Sequence, residues 1–144
     1  MNLTKSCCLI VVLGLTTVEI SAMSDVGEKL YWGESELHAT IGTGRDEISA
    51  DAAKCVNCHG KDGKGIAESG IRGSDIRQSV LTKVTGRRGG PPVRYTEATF
   101  CDALRLGHDA AGVVLSRAMP RYRVSTAECR ALWNYLAEVE QRRR

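Results

Sequence analysis

The sequence predicts an all-α fold in which short helices are joined by long loops. Two observations support it: apolar residues recur at helical spacing in several short segments, and no segment alternates apolar and polar residues as a half-buried strand does. The chain has 144 residues and a single phenylalanine. That length suits one domain. Large apolar side chains are few, however, and a buried apolar ligand would help to fill the core.

The clearest predicted helix lies at the carboxyl end. Ser125 and Glu128 have the spacing of a capping box. One apolar stripe follows them, made of Cys129, Leu132, Trp133, Leu136 and Val139. The other predicted helices are 25–32, a short piece from 51 into 55, 74–85 and 96–106. Two segments, 34–48 and 107–124, are predicted to be loops, and the glycines between 60 and 73 would let the backbone pass close to a flat group.

Residues 1–22 have the pattern of an export signal. The apolar segment 7–18 is too short to span a bilayer. Cleavage is predicted after Ala22, so the mature domain covers 23–144. The alternative is an uncleaved segment that anchors the chain in the membrane.

Cys55, Cys58 and His59 form a Cys-x-x-Cys-His motif, the attachment signature of c-type haem. Three residues apart on a helical turn, the two cysteines share one face, from which each thiol can bond one vinyl group of the same porphyrin. His59 follows at once and can place its imidazole on the iron. The motif therefore predicts covalently bound haem c with His59 as an iron ligand.

The same two cysteines could instead form a disulfide, bind zinc or act as a thioredoxin-like redox pair. A zinc site would need a second Cys-x-x-Cys or a paired histidine at ligand spacing. A thioredoxin-like motif would need a βαβ pattern around it. The sequence has neither feature, so haem attachment is the favoured interpretation.

A six-coordinate iron needs a second axial ligand, and three residues are candidates: Met119, His38 and His108. Met119 lies in a polar loop between two predicted helices, where core packing explains a methionine poorly, and Pro120 stiffens the chain beside it. His108 follows the glycine that ends a helix, and His38 lies in an acidic loop. Met119 is the favoured candidate on these grounds.

Two further cysteines, Cys101 and Cys129, lie in the mature chain. In an oxidising compartment we expect a disulfide between them, which would close a loop of about 28 residues and contribute roughly 3 kcal/mol in the chain-entropy model. The alternative is a pair of buried free thiols that act as small apolar side chains.

Charge is distributed unevenly along the chain. Acidic residues dominate 25–51, and basic residues exceed acidic ones from residue 52 onward. Basic side chains flank the haem motif and Met119, namely Lys54, Lys61, Lys64, Arg117, Arg121 and Arg123. Around an exposed haem edge they would attract acidic redox partners; the alternative is an ordinary solvated surface. We expect no nucleic-acid partner.

These features together resemble the class I c-type cytochromes. The resemblance rests on Cys55-Val56-Asn57-Cys58-His59-Gly60, the glycines after it, Met119-Pro120 and a closing helix with Leu132, Tyr135 and Leu136. It covers most of the mature chain. It implies a cytochrome c fold whose first and last helices cross, with a single covalent haem c whose iron is held by His59 and Met119.

The sequence departs from the pattern of that family in two places. In the family the first helix leads straight into the haem motif, whereas here a loop separates them. A Pro-x-Leu-x-Gly segment, whose proline carbonyl accepts a hydrogen bond from the proximal histidine, is replaced by Ser69, Ile71 and Gly73. Another carbonyl must then orient His59, because the second nitrogen of a haem ligand is normally paired.

The predicted function is one-electron transfer by a soluble protein of the bacterial periplasm. Ligation by histidine and methionine raises the reduction potential and leaves no open position for a substrate on the iron. We therefore expect an electron carrier and not an enzyme, with transient partners in a small interface. The alternatives are the cytochrome subunit of a dehydrogenase or oxidase complex, and a haem sensor or small peroxidase with an open iron position.

Overall fold

The structure, a computed structural model, describes residues 25–42, 45–68, 71–139 and 141. The predicted export signal lies outside the described residues. The helices are α1 (25–32), α2 (Cys55–His59), α3 (Gln78–Leu81), α4 (Glu97–Leu106) and α5 (Thr126–Glu138). The strands are β1 (Ala39–Ile41), β2 (Asp46–Ile48), β3 (Ala67–Glu68), β4 (Ile71–Arg72) and β5 (Arg121–Tyr122). Within these ranges no helix has the length and apolar character needed to cross a membrane.

Helix α5 lies at the centre of the core, and its amino-terminal cap and buried face are those that the sequence predicts. Ser125 Oγ accepts a hydrogen bond from the Glu128 N–H, and the Glu128 carboxylate accepts one from the Ser125 N–H at 2.7 Å. The whole predicted stripe is buried. Phe100 of α4 packs on Trp133 of α5 with ring centroids 5.4 Å apart. Helix α4 also begins and ends where the sequence predicts.

Helix α1 crosses α5, as the family resemblance implies. Gly27 makes the approach close: a Cβ there would lie 2.1 Å from the carbonyl oxygen of Ala131 and 2.8 Å from Tyr135 Cβ. Tyr31 packs on Tyr135 with ring centroids 5.3 Å apart, and Trp32 Nε1 donates to Tyr135 Oη at 3.0 Å. The loop between α1 and the haem motif therefore leaves the helix crossing intact.

The prediction of an all-α fold holds only roughly, because both predicted loops contain strands. β1 and β2 form a hairpin within 34–48, and β5 lies within 107–124. The three form an antiparallel sheet in the order β2-β1-β5, in which Ala39 pairs with Ile48 on one side and Tyr122 on the other. Strands of two or three residues are too short to show a recognisable alternation in the sequence.

Two predicted helices are shorter in the structure. Residues 51–53 form turns, so the second helix begins only at Cys55. The segment 74–85 is helical over Gln78–Leu81 alone. A hydrogen bond from the Ile76 N–H to the Gly63 carbonyl holds the start of 74–85 against the glycine-rich segment, and this tertiary contact overrides a local preference for helix.

Cys101 of α4 and Cys129 of α5 are neighbours in the core, but they are not bridged. Both are buried free thiols. Burial, together with the adjacent Cys101 thiol, raises the pKa of Cys129 to about 12. The expected disulfide is absent from the structure, and the alternative of two buried thiols describes this part of the core.

Candidate functional site

A cavity of about 650 Å³ is lined both by the Cys-x-x-Cys-His motif and by the loop that carries Met119. Its volume lies in the range of ligand and cofactor pockets. Most of its wall is apolar and comes from α3, α4, α5 and the loop after α4, with Leu81, Phe100, Leu104, Leu115, Leu132 and Leu136 among the side chains.

The two motif cysteines both line the cavity, one turn apart on α2. Both are free thiols in the structure, so the disulfide interpretation finds no support. Burial raises the pKa of the Cys55 thiol to about 12. In the part of the chain that the structure describes, no group of three or more histidine, cysteine or acidic side chains could hold a metal ion.

His59 can act as a ligand through its Nε2 atom. Its Nδ1 lies 2.8 Å from the carbonyl oxygen of Ser74, and because a carbonyl can only accept, the proton resides on Nδ1. Burial lowers the pKa of His59, so the ring is neutral and Nε2 carries a lone pair. Nε2 is buried and has no hydrogen-bond partner among the described residues. A buried nitrogen of this kind, on a side chain that lines the cavity, fits a haem iron.

The sequence lacks the proline whose carbonyl orients the proximal histidine in the family. The carbonyl of Ser74 takes that role here. Its position follows from two backbone hydrogen bonds, from the Gly73 N–H to the Ile66 carbonyl at 2.9 Å and from the Ile76 N–H to the Gly63 carbonyl at 2.8 Å. No sequence signal could have identified Ser74, because every residue offers a carbonyl and only the tertiary structure selects one.

Gly73 allows the chain to pass directly over the motif helix. A Cβ at this position would lie 1.7 Å from the carbonyl oxygen of Cys58, a distance that no side chain can adopt. The sequence analysis predicts that the glycines after the motif let the chain pass close to a flat group, whereas the close neighbour of Gly73 is the backbone of the motif helix.

Two buried tyrosines fix the ends of the motif helix. Tyr31 of α1 donates its hydroxyl to the Gly60 carbonyl at 2.6 Å, just after α2. Tyr122 of β5 donates to the Ala53 carbonyl at 2.7 Å, just before α2. Nothing in the sequence assigns either residue to the site, because a buried tyrosine is as readily an ordinary core residue.

Met119 lies in a loop that the small sheet holds against the rest of the molecule. The side chain lines the cavity and packs against the core. Arg121 donates to the Met119 carbonyl through Nη1. Around it, the Gly42 N–H donates to the Arg117 carbonyl at 3.2 Å, and the Arg123 N–H donates to the His38 carbonyl at 3.0 Å. The hairpin inserted before the motif therefore supports the loop of the predicted second ligand.

The other two candidate ligands do not reach the cavity. The imidazole of His38 is exposed and lies 3.3 Å from the Glu36 carboxylate. His108 is exposed in an isolated bridge with Val114. Of the three candidates, Met119 alone lines the cavity.

Asp109 is a buried carboxylate on the cavity wall that sequence reasoning missed. One carboxylate oxygen accepts hydrogen bonds from the Ala111 and Val113 N–H groups, each at 2.9 Å, which closes a turn. The other oxygen is buried without a hydrogen-bond partner among the described residues. The sequence signal was only an aspartate in a turn-forming segment, a context that usually indicates local capping.

The family model for cytochrome c matches residues 47–140. The chain therefore belongs to the cytochrome c family, whose members carry covalently attached haem c and transfer electrons through its iron. No curated protein and no solved structure matches the chain. Residues 25–46, which contain α1 and β1, lie outside the matched span, although both elements contribute contacts that hold the site.

Proposed function

We propose that this protein is an exported one-electron carrier of the periplasm. It would hold a single haem c, bonded through Cys55 and Cys58, with His59 and Met119 as the axial ligands. The observation that carries the proposal is the buried and unpartnered Nε2 of His59, on a cavity wall that also includes both thiols and the methionine.

The chemistry supplied by the bound haem is the gain and loss of one electron at iron. The residues of the chain determine how readily this happens. Ligation by His59 and Met119 would favour the reduced state and raise the reduction potential, and the Ser74 carbonyl fixes the orientation of the His59 ring. The apolar wall would exclude water from a bound haem, and basic side chains on the wall, Arg87 and Arg88 among them, would supply positive charge for its carboxylates.

We also propose that its redox partners are transient and present acidic surfaces. Among the basic residues near the motif and Met119, several are engaged in internal contacts: Lys54 pairs with Asp51 at 2.7 Å and Lys64 with Asp62 at 3.1 Å. Lys61 is exposed and has no ion pair in the described ranges. Such side chains would raise the encounter rate at low ionic strength.

The test is the behaviour of the haem in the purified protein. We expect one haem per chain that remains with the polypeptide after extraction with acidic organic solvent, and a redox titration that fits a single one-electron step. The Cys58→Ala variant should lose much of this covalent retention. Haem that is fully extracted from the unmutated protein would refute covalent attachment, and a titration with two or more steps would refute a single haem.

A further inference from the structure

A carboxylate–guanidinium pair lies directly after the residue that orients His59. Arg77 Nη2 donates to Asp75 Oδ2 at 2.6 Å, and Arg77 Nε donates to Asp75 Oδ1 at 3.0 Å. The backbone N–H of Arg77 donates to the same Oδ1 at 3.1 Å. Only 28% of the Asp75 side chain and 18% of the Arg77 side chain are exposed. This is a partly buried bidentate pair that also closes a turn, an arrangement with more geometric specificity than a surface ion pair.

The turn closed by this pair is the one that presents the Ser74 carbonyl. Ser74 precedes Asp75 directly, and its oxygen accepts the hydrogen bond from His59 Nδ1 at 2.8 Å. The backbone bonds of Gly73 and Ile76 hold the segment on either side. The ion pair adds a side-chain constraint between these two attachments.

Only the negatively charged member of the pair faces the site. Asp75 lines the same cavity as His59, whereas Arg77 does not. Burial lowers the pKa of His59, and the charge of Asp75 opposes that effect. For Asp75 itself, burial would raise the pKa, but the hydrogen bonds and charge of Arg77 outweigh burial and lower it. Asp75 is therefore ionised at neutral pH.

We propose that the Asp75 carboxylate, held in place by Arg77, lowers the reduction potential of an iron bound by His59. This proposal rests on the proposed haem site. The oxidised site carries one more positive charge than the reduced site. A fixed negative charge on the cavity wall stabilises the oxidised site in a medium of low dielectric constant, which opposes the rise in potential that Met119 causes.

The test is a set of charge-changing variants, each compared by its midpoint potential at neutral pH. Asp75→Asn removes a negative charge from the cavity wall, and we expect the midpoint potential to rise. Arg77→Gln leaves the Asp75 carboxylate uncompensated, and we expect the potential to fall. Asp75→Glu keeps the charge and should remain closer to the unmutated protein than Asp75→Asn. Glu97→Gln is the matched control, because Glu97 also pairs with an arginine, Arg130, at 3.0 Å but does not line the cavity.

The two single variants distinguish charge from structure. A purely structural role loosens the Ser74 carbonyl in both, so shifts of the same sign would overturn the proposal. Shifts no larger than that of Glu97→Gln would overturn it as well. If Asp75→Asn fails to incorporate haem, the proposal is tested with two variants of Arg77. Arg77→Gln should lower the midpoint potential, whereas Arg77→Lys, which keeps the positive charge, should leave it unchanged. Covalent haem in the unmutated protein is measured separately, so failure here leaves the proposed function standing.

Discussion

At the scale of single residues, the site combines side chains that a motif reveals with backbone groups that no motif contains. His59 is identified by the two cysteines before it, but its orientation depends on the Ser74 carbonyl at 2.8 Å. Met119 is favoured by its place in a polar loop beside Pro120, and it lines the cavity, whereas His38 and His108 are exposed and do not.

Replacing Met119 by leucine tests the second ligand, because leucine keeps the volume of methionine and removes the sulfur. We expect Met119→Leu to abolish the weak far-red band that sulfur-to-iron ligation gives in the oxidised protein. The same change should lower the reduction potential and let external ligands such as imidazole bind. The measurement is the visible and far-red spectrum with and without imidazole.

Leu115→Ala is the matched control for this experiment. Leu115 lines the same cavity and packs against the core, so its truncation disturbs packing without removing a ligand. The far-red band should survive in Leu115→Ala. A band that persists in Met119→Leu would show that the sulfur ligand has been assigned wrongly.

At the scale of elements, helix α1 and strand β1, which lie outside the family match, help to hold the site in place. Helix α1 crosses α5 and bonds to the carboxyl end of the motif helix through Tyr31. The β1–β2 hairpin pairs with β5 beside the Met119 loop. The insertion between α1 and the motif is therefore a support for the second half of the site.

The helix crossing predicts that Gly27→Ala destabilises the protein although alanine favours helix. Alanine would gain about 1 kcal/mol of helix propensity, but its Cβ would lie 2.1 Å from the Ala131 carbonyl oxygen, and overpacking of this kind costs roughly 1–3 kcal/mol. We expect a net loss of up to about 2 kcal/mol, measured by urea unfolding.

Val26→Ala provides the comparison for this substitution, because Val26 is 42% exposed on the same helix. It should change the free energy of unfolding by less than about 0.5 kcal/mol. If Gly27→Ala proved more stable than the unmutated protein, helix propensity would outweigh packing and the close crossing would be wrong.

At the scale of the whole molecule, the core is built around a cavity of about 650 Å³. Side chains that line such a volume lose their packing contacts when nothing fills it, and this chain has a single phenylalanine to compensate. A ligand that binds only the folded state adds its binding free energy to the free energy of unfolding. The fold and the cofactor therefore depend on each other.

We expect the Cys55→Ala/Cys58→Ala double variant, prepared without haem, to lack fixed tertiary packing. The measurement is near-ultraviolet circular dichroism and the cooperativity of thermal unfolding. Added haemin should restore part of the tertiary signal, because His59 and the cavity wall remain. A double variant that unfolds cooperatively at the temperature of the intact protein, without haemin, would contradict this dependence.

What could be read from the sequence was local in origin. The helices α4 and α5 were predicted with their caps because capping and the spacing of apolar residues act within a few residues of each other. The strands were missed because pairs of two or three residues, such as β5 with β1, leave no periodic pattern. The helix predicted over 74–85 was too long because its first residues bond to the glycine-rich segment.

By itself, the sequence determined the cofactor chemistry: Cys55, Cys58 and His59 have a spacing that serves covalent haem attachment, and short-range geometry suffices to recognise it. The tertiary structure alone decided which carbonyl orients His59, which of three candidate ligands reaches the cavity and which helix crosses α5. These features join residues distant in the chain. They consist of hydrogen bonds to backbone groups and of closely packed elements. Their energy depends on the packing of the entire fold, so no local sequence pattern predicts them.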